Sequence, residues 1–287
     1  MEYTIQNGFM ALAADTHGAQ LCDLHSLRHP ERHLLWTGQT DIWPWHAPVC
    51  FPWCGKLKGG LFQDRGIQYP APQHGFVREQ EHRLVCQGED FLEFCLDWRG
   101  EETQWPWSFS FRTRFSLSAD GVSVIFSVTN LDSRPMPAQL GYHPGLCCPF
   151  SDGLGPEDYL IRFERGLEAR LQSIPIQRDM FQSRRIVYPN LRSHWVQLEE
   201  RATGRYLRVD TRDSRCLVLW SKPGIPGFIC IEPWSSPPAA GGELIEDPAF
   251  QLISPGDTVV YAHGLREGTV LNSRGGAARF AVQAQGN

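Results

Sequence analysis

The chain has 287 residues, of which 41% are hydrophobic and 21% charged, a balance typical of a folded globular protein. Its formal net charge is −5, so nucleic acid is not expected as a partner. No stretch approaches the roughly 18 apolar residues of a membrane span, and the N-terminus has no signal-peptide pattern, so no membrane association is expected. The nine cysteines form no Cys-x-x-Cys pair, which predicts reduced thiols, a cytoplasmic location and no metal site.

Short segments with alternating polar and apolar residues dominate the chain. The predicted strands share this period of two and lie at residues 8–13, 18–24, 83–87, 91–98, 109–117, 122–128, 159–163, 206–209, 216–220, 228–232 and 258–263. The clearest hairpin turns at Asp120-Gly121. Frequent Gly (27) and Pro (21) leave little room for long helices. We therefore predict an all-β sandwich or barrel, with one domain over residues 1–270 and a flexible tail at residues 271–287.

Three polar residues in the first third of the chain are candidate ligand-binding groups. Lys56 ends an apolar segment whose prolines exclude a helix, and it could bind hydroxyl oxygens or be an ordinary surface lysine. His74 lies in a glycine-containing turn, where it could contact a ligand or simply face solvent. Arg78 could bind substrate, pair with a nearby glutamate or hold the loop through backbone carbonyls.

His143 and Glu232 are the best candidates for moving protons. His143 lies between apolar or conformationally special residues, which suits either a general acid near neutral pH or a buried histidine bonded to a carbonyl. Glu232 follows the apolar strand 227–231, where a carboxylate is costly to bury without a role. We expect desolvation beside Trp234 to raise the pKa of Glu232 toward the range of a general base.

The tryptophans, and the absence of motifs for a catalytic nucleophile or a bound phosphate, limit the types of reaction that the sequence suggests. The chain has ten tryptophans, and Trp36, Trp43, Trp45 and Trp53 lie in one stretch, where they could pack a core or stack on sugar faces. There is no Gly-x-Ser-x-Gly elbow and no phosphate-binding loop of the Walker or dinucleotide type. Acid–base chemistry without a cofactor is the remaining prediction.

Five segments in register resemble the aldose 1-epimerase (galactose mutarotase-like) family, especially its LacX-like branch. The similarity extends over nearly the whole chain to about Gly264, and the matching segments lie at residues 18–21, 35–57, 74–78, 141–145 and 220–234. The resemblance implies a galactose mutarotase-like β-supersandwich of antiparallel strands, with a sugar bound in a shallow groove on one sheet. It also implies an isomerase of carbohydrate metabolism that opens and recloses the sugar ring.

The resemblance assigns a role to each candidate. Glu232 would be the general base for the C1 hydroxyl, and His143 would be the acid that protonates the ring oxygen. The family usually has an arginine at the position of Lys56. The lysine ammonium group is a compact charge, whereas the arginine guanidinium can donate two parallel hydrogen bonds to one partner. The predicted substrate-binding residues all belong to the matching segments: His74, Lys56, Arg78, Trp234 and Trp53.

Three alternative functions stay open at this point. One is epimerisation of a hexose 6-phosphate, for which Arg78 and Lys58 are candidate phosphate ligands. Another is a sugar-binding or sensing module with little turnover. The third is a structural β-sandwich in which the motifs are coincidental.

Overall fold

The computed structural model describes residues 1–101, 103–166, 172–182 and 185–270, and the tail predicted at residues 271–287 lies outside them. Strands make up nearly all the regular structure, which confirms the all-β prediction. In chain order they are β1 (Glu2–Gln6), β2 (Met10–Asp15), β3 (Gln20–Ser26), β4 (Val49–Cys50), β5 (Leu61–Asp64), β6 (Ile67–Pro70), β7 (Arg83–Gln87), β8 (Phe91–Glu101), β9 (Trp105–Leu117), β10 (Gly121–Asn130), β11 (Met136–Ala138), β12 (Gly141–Tyr142), β13 (Gly145–Cys148), β14 (Tyr159–Phe163), β15 (Ser173–Pro175), β16 (Ile186–Tyr188), β17 (Trp195–Glu200), β18 (Arg205–Asp210), β19 (Cys216–Trp220), β20 (Gly227–Trp234), β21 (Gly242–Glu243), β22 (Gln251–Ile253) and β23 (Thr258–Thr269).

Helical structure is minor. Within the described ranges it consists of single 3-10 turns at Lys58–Gly60, Val77–Glu79 and Pro156–Asp158. None of the described helices has the length and apolar character needed to cross a membrane. All nine cysteines are free thiols, as the sequence predicted.

Two large sheets organise the molecule. The larger has nine strands in the order β15-β14-β17-β18-β23-β10-β9-β8-β7, and the smaller runs β16-β19-β20-β12-β4 with β13 also paired to β20. Neighbouring strands within both sheets are antiparallel. Three smaller sheets, β1-β2-β3, β21-β5-β6 and β11-β22, complete the described strands.

Aromatic side chains fill the space between the two large sheets. Phe111 on β9 packs against Phe51 and Phe126, with ring centroids 5.1 and 5.9 Å apart. Phe126 on β10 also reaches Tyr142 on β12 in the smaller sheet, at 5.7 Å. On β20, Ile229 and its period-two partner Ile231 face this core. Cys230 and Glu232, which alternate with these isoleucines along β20, therefore point to the opposite face of the smaller sheet.

Removing the Phe111 ring tests this packing. Phe111 is fully buried, so Phe111→Ala should lower the free energy of unfolding by about 3–5 kcal/mol through lost burial and a residual cavity. Urea unfolding followed by tryptophan fluorescence measures the change. Phe9→Ala, at a side chain that is half exposed, is the matched control and should change stability by no more than about 0.5 kcal/mol. Equal effects at the two positions would contradict the assigned core.

Candidate active site

A cleft of about 690 Å³ lies over the face of the six-stranded sheet that points away from the core. Most of the residues predicted from sequence to form the site line it: Glu232, His143, His74, Lys56, Arg78 and Trp234. They come from four separate segments of the chain, so the cleft is assembled by strand pairing and not by local sequence. The roles of these residues remain predictions, whereas their convergence on one cleft is a property of the fold.

Strand register puts His143 beside Glu232. β12 pairs with β20 so that Gly141 is opposite Trp234, and β13 pairs with β20 so that Gly145 is opposite Cys230. The same register carried through the intervening residues sets His143 directly opposite Glu232. Directly opposed residues of an antiparallel pair project from the same face, so both side chains point into the cleft.

Glycines on either side of His143 make room for two tryptophans. A Cβ built on Gly141 would lie 2.7 Å from the Trp234 ring, and one on Gly145 would lie 2.6 Å from the Trp43 ring. The two indoles therefore occupy the space that side chains at these positions would need. This explains the Gly-Tyr-His-Pro-Gly segment, in which the histidine alone sends a side chain into the cleft between glycines.

The His143–Glu232 pair is buried and close. His143 Nε2 lies 3.2 Å from Glu232 Oε2, and the two side chains are almost inaccessible to solvent. His143 Nε2 and Glu232 Oε2 are close but do not meet the geometry of a hydrogen bond. Glu232 Oε2 and His143 Nδ1 have no hydrogen-bond partner among the described residues. Burial raises the pKa of Glu232 well above its usual range and lowers the pKa of His143 well below its usual range. Burial thus favours a neutral pair that shares one proton.

His74 is held in one orientation by its Nδ1 atom. The backbone N–H of Gly55 donates to Nδ1 across 3.1 Å, so this nitrogen is an acceptor and carries no proton. The Cys50 thiol lies 3.1 Å from the same atom. The proton of the imidazole is therefore on Nε2. The Gln73 side-chain amide lies 3.1 Å from Nε2 and accepts this proton when its oxygen is turned toward the ring. These contacts hold the His74 ring in place beside the cleft that it lines.

Aromatic rings surround the imidazole of His143. Its ring centroid lies 5.2 Å from Trp43 and 5.9 Å from Trp220. Phe228 stacks behind Trp43 with centroids 5.0 Å apart. These rings restrict water around the acid–base pair and offer flat apolar surfaces of the kind that sugar C–H faces contact.

The predicted contact of Trp53 with substrate is wrong. Trp53 is fully buried in the main core and is not part of the cleft lining. Its indole N–H donates to the carbonyl of Pro72 across 2.8 Å, and its ring packs against Phe62. The clustering of tryptophans in the sequence did not reveal which face of the chain each ring occupies.

The cleft also contains residues to which sequence reasoning gave no role. The missed lining residues include Trp220, Arg185 and Lys222, whereas Trp43 belongs to the tryptophan cluster that was considered for sugar stacking or core packing. Trp220 and Lys222 lie in the last matching segment, which was the available signal, whereas nothing local marks Arg185. Lys58, a candidate phosphate ligand in the hexose 6-phosphate alternative, does not line the cleft.

Two groups of side chains have metal-binding donor sets. Donor atoms of His143, Cys230 and Glu232 lie within 4.8 Å of one another, and the same holds for a surface group at Asp23, His25 and His33. In the surface group, Asp23 already contacts both imidazoles, at 2.7 and 2.6 Å. A metal bound to the first group would occupy the acid–base pair itself.

The chain belongs to the aldose 1-epimerase family, since the family model for aldose 1-epimerase matches residues 1–241. It is 29% identical to the plasmid-encoded protein LacX of Lactococcus lactis subsp. lactis, over 95% of this chain and 100% of the relative. It is similar to a galactose mutarotase related enzyme from Lactobacillus acidophilus, with a TM-score of 0.85, 25% identity and coverage of 94% and 98%. A galactose mutarotase-like protein from Lactobacillus casei gives a TM-score of 0.85 at 23% identity, over 93% and 100% of the chains.

These similarities confirm the LacX-like assignment and the mutarotase-like β-sandwich. They also support a carbohydrate epimerase as the general activity.

Adding one methyl group at Gly145 tests how tightly the cleft is packed. Gly145→Ala would force Trp43 away from His143 and should lower the free energy of unfolding by about 1–3 kcal/mol. Urea unfolding gives the change, and near-UV circular dichroism reports the displaced indole. Gly8→Ala is the control, because nothing lies within 4 Å of the added atom. Indistinguishable stabilities for the two variants would refute the close approach of Trp43.

Proposed function

We propose that the protein interconverts the anomers of an aldose, with Glu232 as general base and His143 as general acid. The observation that carries this proposal is the buried pair whose functional atoms lie 3.2 Å apart inside an aromatic-walled cleft. Because the ring oxygen and the anomeric hydroxyl of an aldose are bonded to the same carbon, an acid and a base that serve both must be close neighbours. The His143–Glu232 spacing meets that requirement.

The reaction needs two proton transfers and no external reagent. The Glu232 carboxylate removes the proton of the C1 hydroxyl, and the electrons of that O–H bond form the aldehyde C=O. The bond between C1 and the ring oxygen breaks, and its electron pair takes the proton from the His143 imidazolium. Rotation about the C1–C2 bond and reclosure with the transfers reversed give the other anomer and restore both groups.

One proton on the pair is enough for the whole cycle. The charged form, carboxylate and imidazolium, and the neutral form, carboxyl and imidazole, contain the same number of protons. Ring opening converts the charged form into the neutral form that burial favours. Substrate hydroxyls that hydrogen-bond to the pair would stabilise the charged form before ring opening, and His74 lines the same cleft, where it could contact another sugar oxygen.

A pure sugar-binding module would not need this pair. Binding requires hydrogen bonds, yet Glu232 Oε2 has no partner in the described part of the chain. A buried carboxyl oxygen without a partner reduces stability, so its retention is better explained by turnover than by recognition alone.

Replacing the base should abolish most of the activity. Glu232→Gln keeps the shape of the side chain and removes its basicity, so kcat should fall by about 100- to 10,000-fold. Exchange NMR or polarimetry on a panel of aldoses measures the rate, after subtraction of spontaneous mutarotation. Glu89→Gln, at an exposed position outside the cleft, is the matched control and should retain full activity. An active Glu232→Gln enzyme with unchanged kcat would remove the general-base assignment.

The pH dependence of kcat/KM should be bell-shaped, because the pair works only while it holds one proton. Burial lowers the pKa of His143, so the pair gains its second proton only below the usual imidazole range. Burial raises the pKa of Glu232, so the pair loses its last proton only above the usual carboxyl range. Polarimetry across a buffer series measures both limbs. A profile with a single limb would contradict the shared-proton mechanism.

A further inference from the structure

The cleft concentrates positive charge in a chain whose net charge is −5. Among the described residues, four cationic side chains line it: Lys56, Arg78, Arg185 and Lys222. Among the described residues that line the cleft, Glu232 is the only carboxyl group, and it is buried at the bottom of the site. A low-dielectric cleft lined by one sign of charge attracts ligands of the opposite sign.

The four cations are not equally available to a ligand. Arg78 donates to the carbonyl of Gln73 across 3.1 Å, lies 3.4 Å from a Glu79 carboxylate oxygen and stacks over Trp45 at 4.7 Å. Within the described ranges neither Arg185 nor Lys222 forms a salt bridge at 4.0 Å or less, although Arg185 is close enough to Glu232 to lower the pKa of that carboxyl group. Two cations without a directly bound counter-ion in one cleft repel each other unless an anion joins them.

Strand order places these two cations on the same side of the catalytic pair. In the six-stranded sheet, β19 and β16 follow β20 on the side away from His143. Arg185 directly precedes β16, and the register that pairs Ile186 with Leu219 sets Arg185 opposite Trp220. Lys222 lies two residues after Trp220. Both cations therefore border the same end of the cleft, roughly 5–10 Å from β20 by strand spacing, within reach of the far end of a hexose.

We infer that the substrate is an aldose that carries an anionic group at the end remote from its anomeric carbon, and that Arg185 and Lys222 bind this group. The inference rests on the proposed function, because it assumes that the anomeric carbon lies at the His143–Glu232 pair. A phosphate ester and a carboxylate share the required chemistry, since both accept charge-assisted hydrogen bonds from guanidinium and ammonium groups. A neutral hexose leaves both cations without a counter-charge.

Steady-state anomerisation of three sugar types tests the inference. The panel consists of glucose and galactose, their 6-phosphates, and glucuronate with galacturonate. We expect kcat/KM for one anionic type to exceed that of the neutral parents by about tenfold or more, and the advantage to shrink as salt is added. The better of the two anionic types identifies the bound group as phosphate or carboxylate.

Single-charge variants connect the effect to the two residues. Lys222→Gln should raise KM for the preferred anionic sugar about tenfold or more, with kcat nearly unchanged. Arg185→Gln should raise the same KM by a similar factor. Because the Arg185 charge also lowers the pKa of Glu232, its effect is measured as the change in the ratio of kcat/KM for anionic sugars to kcat/KM for neutral sugars. Lys58→Gln is the control, because Lys58 is exposed and lies outside the cleft lining. Thermal unfolding confirms that the variants remain folded.

The outcomes separate this inference from the proposed function. If neutral sugars are interconverted as fast as anionic ones and neither variant changes KM, the anion site is refuted while anomerisation stands. If no sugar is interconverted, the proposed function fails, and calorimetric titration with glucose 6-phosphate and glucuronate then decides the anion site. Binding that weakens in Arg185→Gln and Lys222→Gln supports the site, and binding that is absent or unchanged in the variants overturns it.

Discussion

Antiparallel pairing of β20 with β12 and β13 brings His143 and Glu232 together from distant parts of the chain. A shift of one residue in this register would turn His143 into the core and send Tyr142 into the cleft, because side chains alternate between faces. Such a shift is opposed by the core contacts of Tyr142 and by the indoles that fill the space over Gly141 and Gly145. Packing on both faces therefore fixes the geometry of the pair.

The same packing buries two ionisable groups, and this burial shifts the pKa values of both. Aromatic walls and the sheet exclude water, so the charged forms of Glu232 and His143 are disfavoured in the free protein. A neutral pair avoids most of that penalty and still holds the one proton that the proposed ring opening requires. In that proposal, sugar hydroxyls would supply the hydrogen-bond partners that the buried atoms of the pair lack in the described part of the chain.

Local alternation was enough to predict many strands, and Arg83–Gln87 and Cys216–Trp220 begin and end as expected. Trp195–Glu200 was missed because its buried positions include polar residues, such as Glu199, which Arg162 of the adjacent strand neutralises. The acid–base pair was predictable because each group lies in an unusual apolar segment. The position of Arg185 in the cleft was not predictable, because only strand pairing brings it there. For the same reason, the sequence did not show that the Trp53 ring lies in the core and not in the cleft.

The distribution of charge around the cleft suits a substrate that must be oriented as well as bound. Hydroxyl groups around a sugar ring resemble one another, so hydrogen bonds alone discriminate weakly between ring orientations. A charged group at one end, bound by Arg185 and Lys222, would fix which carbon lies beside Glu232. Binding energy from this remote group would then hold the anomeric carbon in place, which is where positioning contributes to rate. If both proposals hold, charge at one end of the cleft would serve recognition and the His143–Glu232 pair at the other would carry out the reaction.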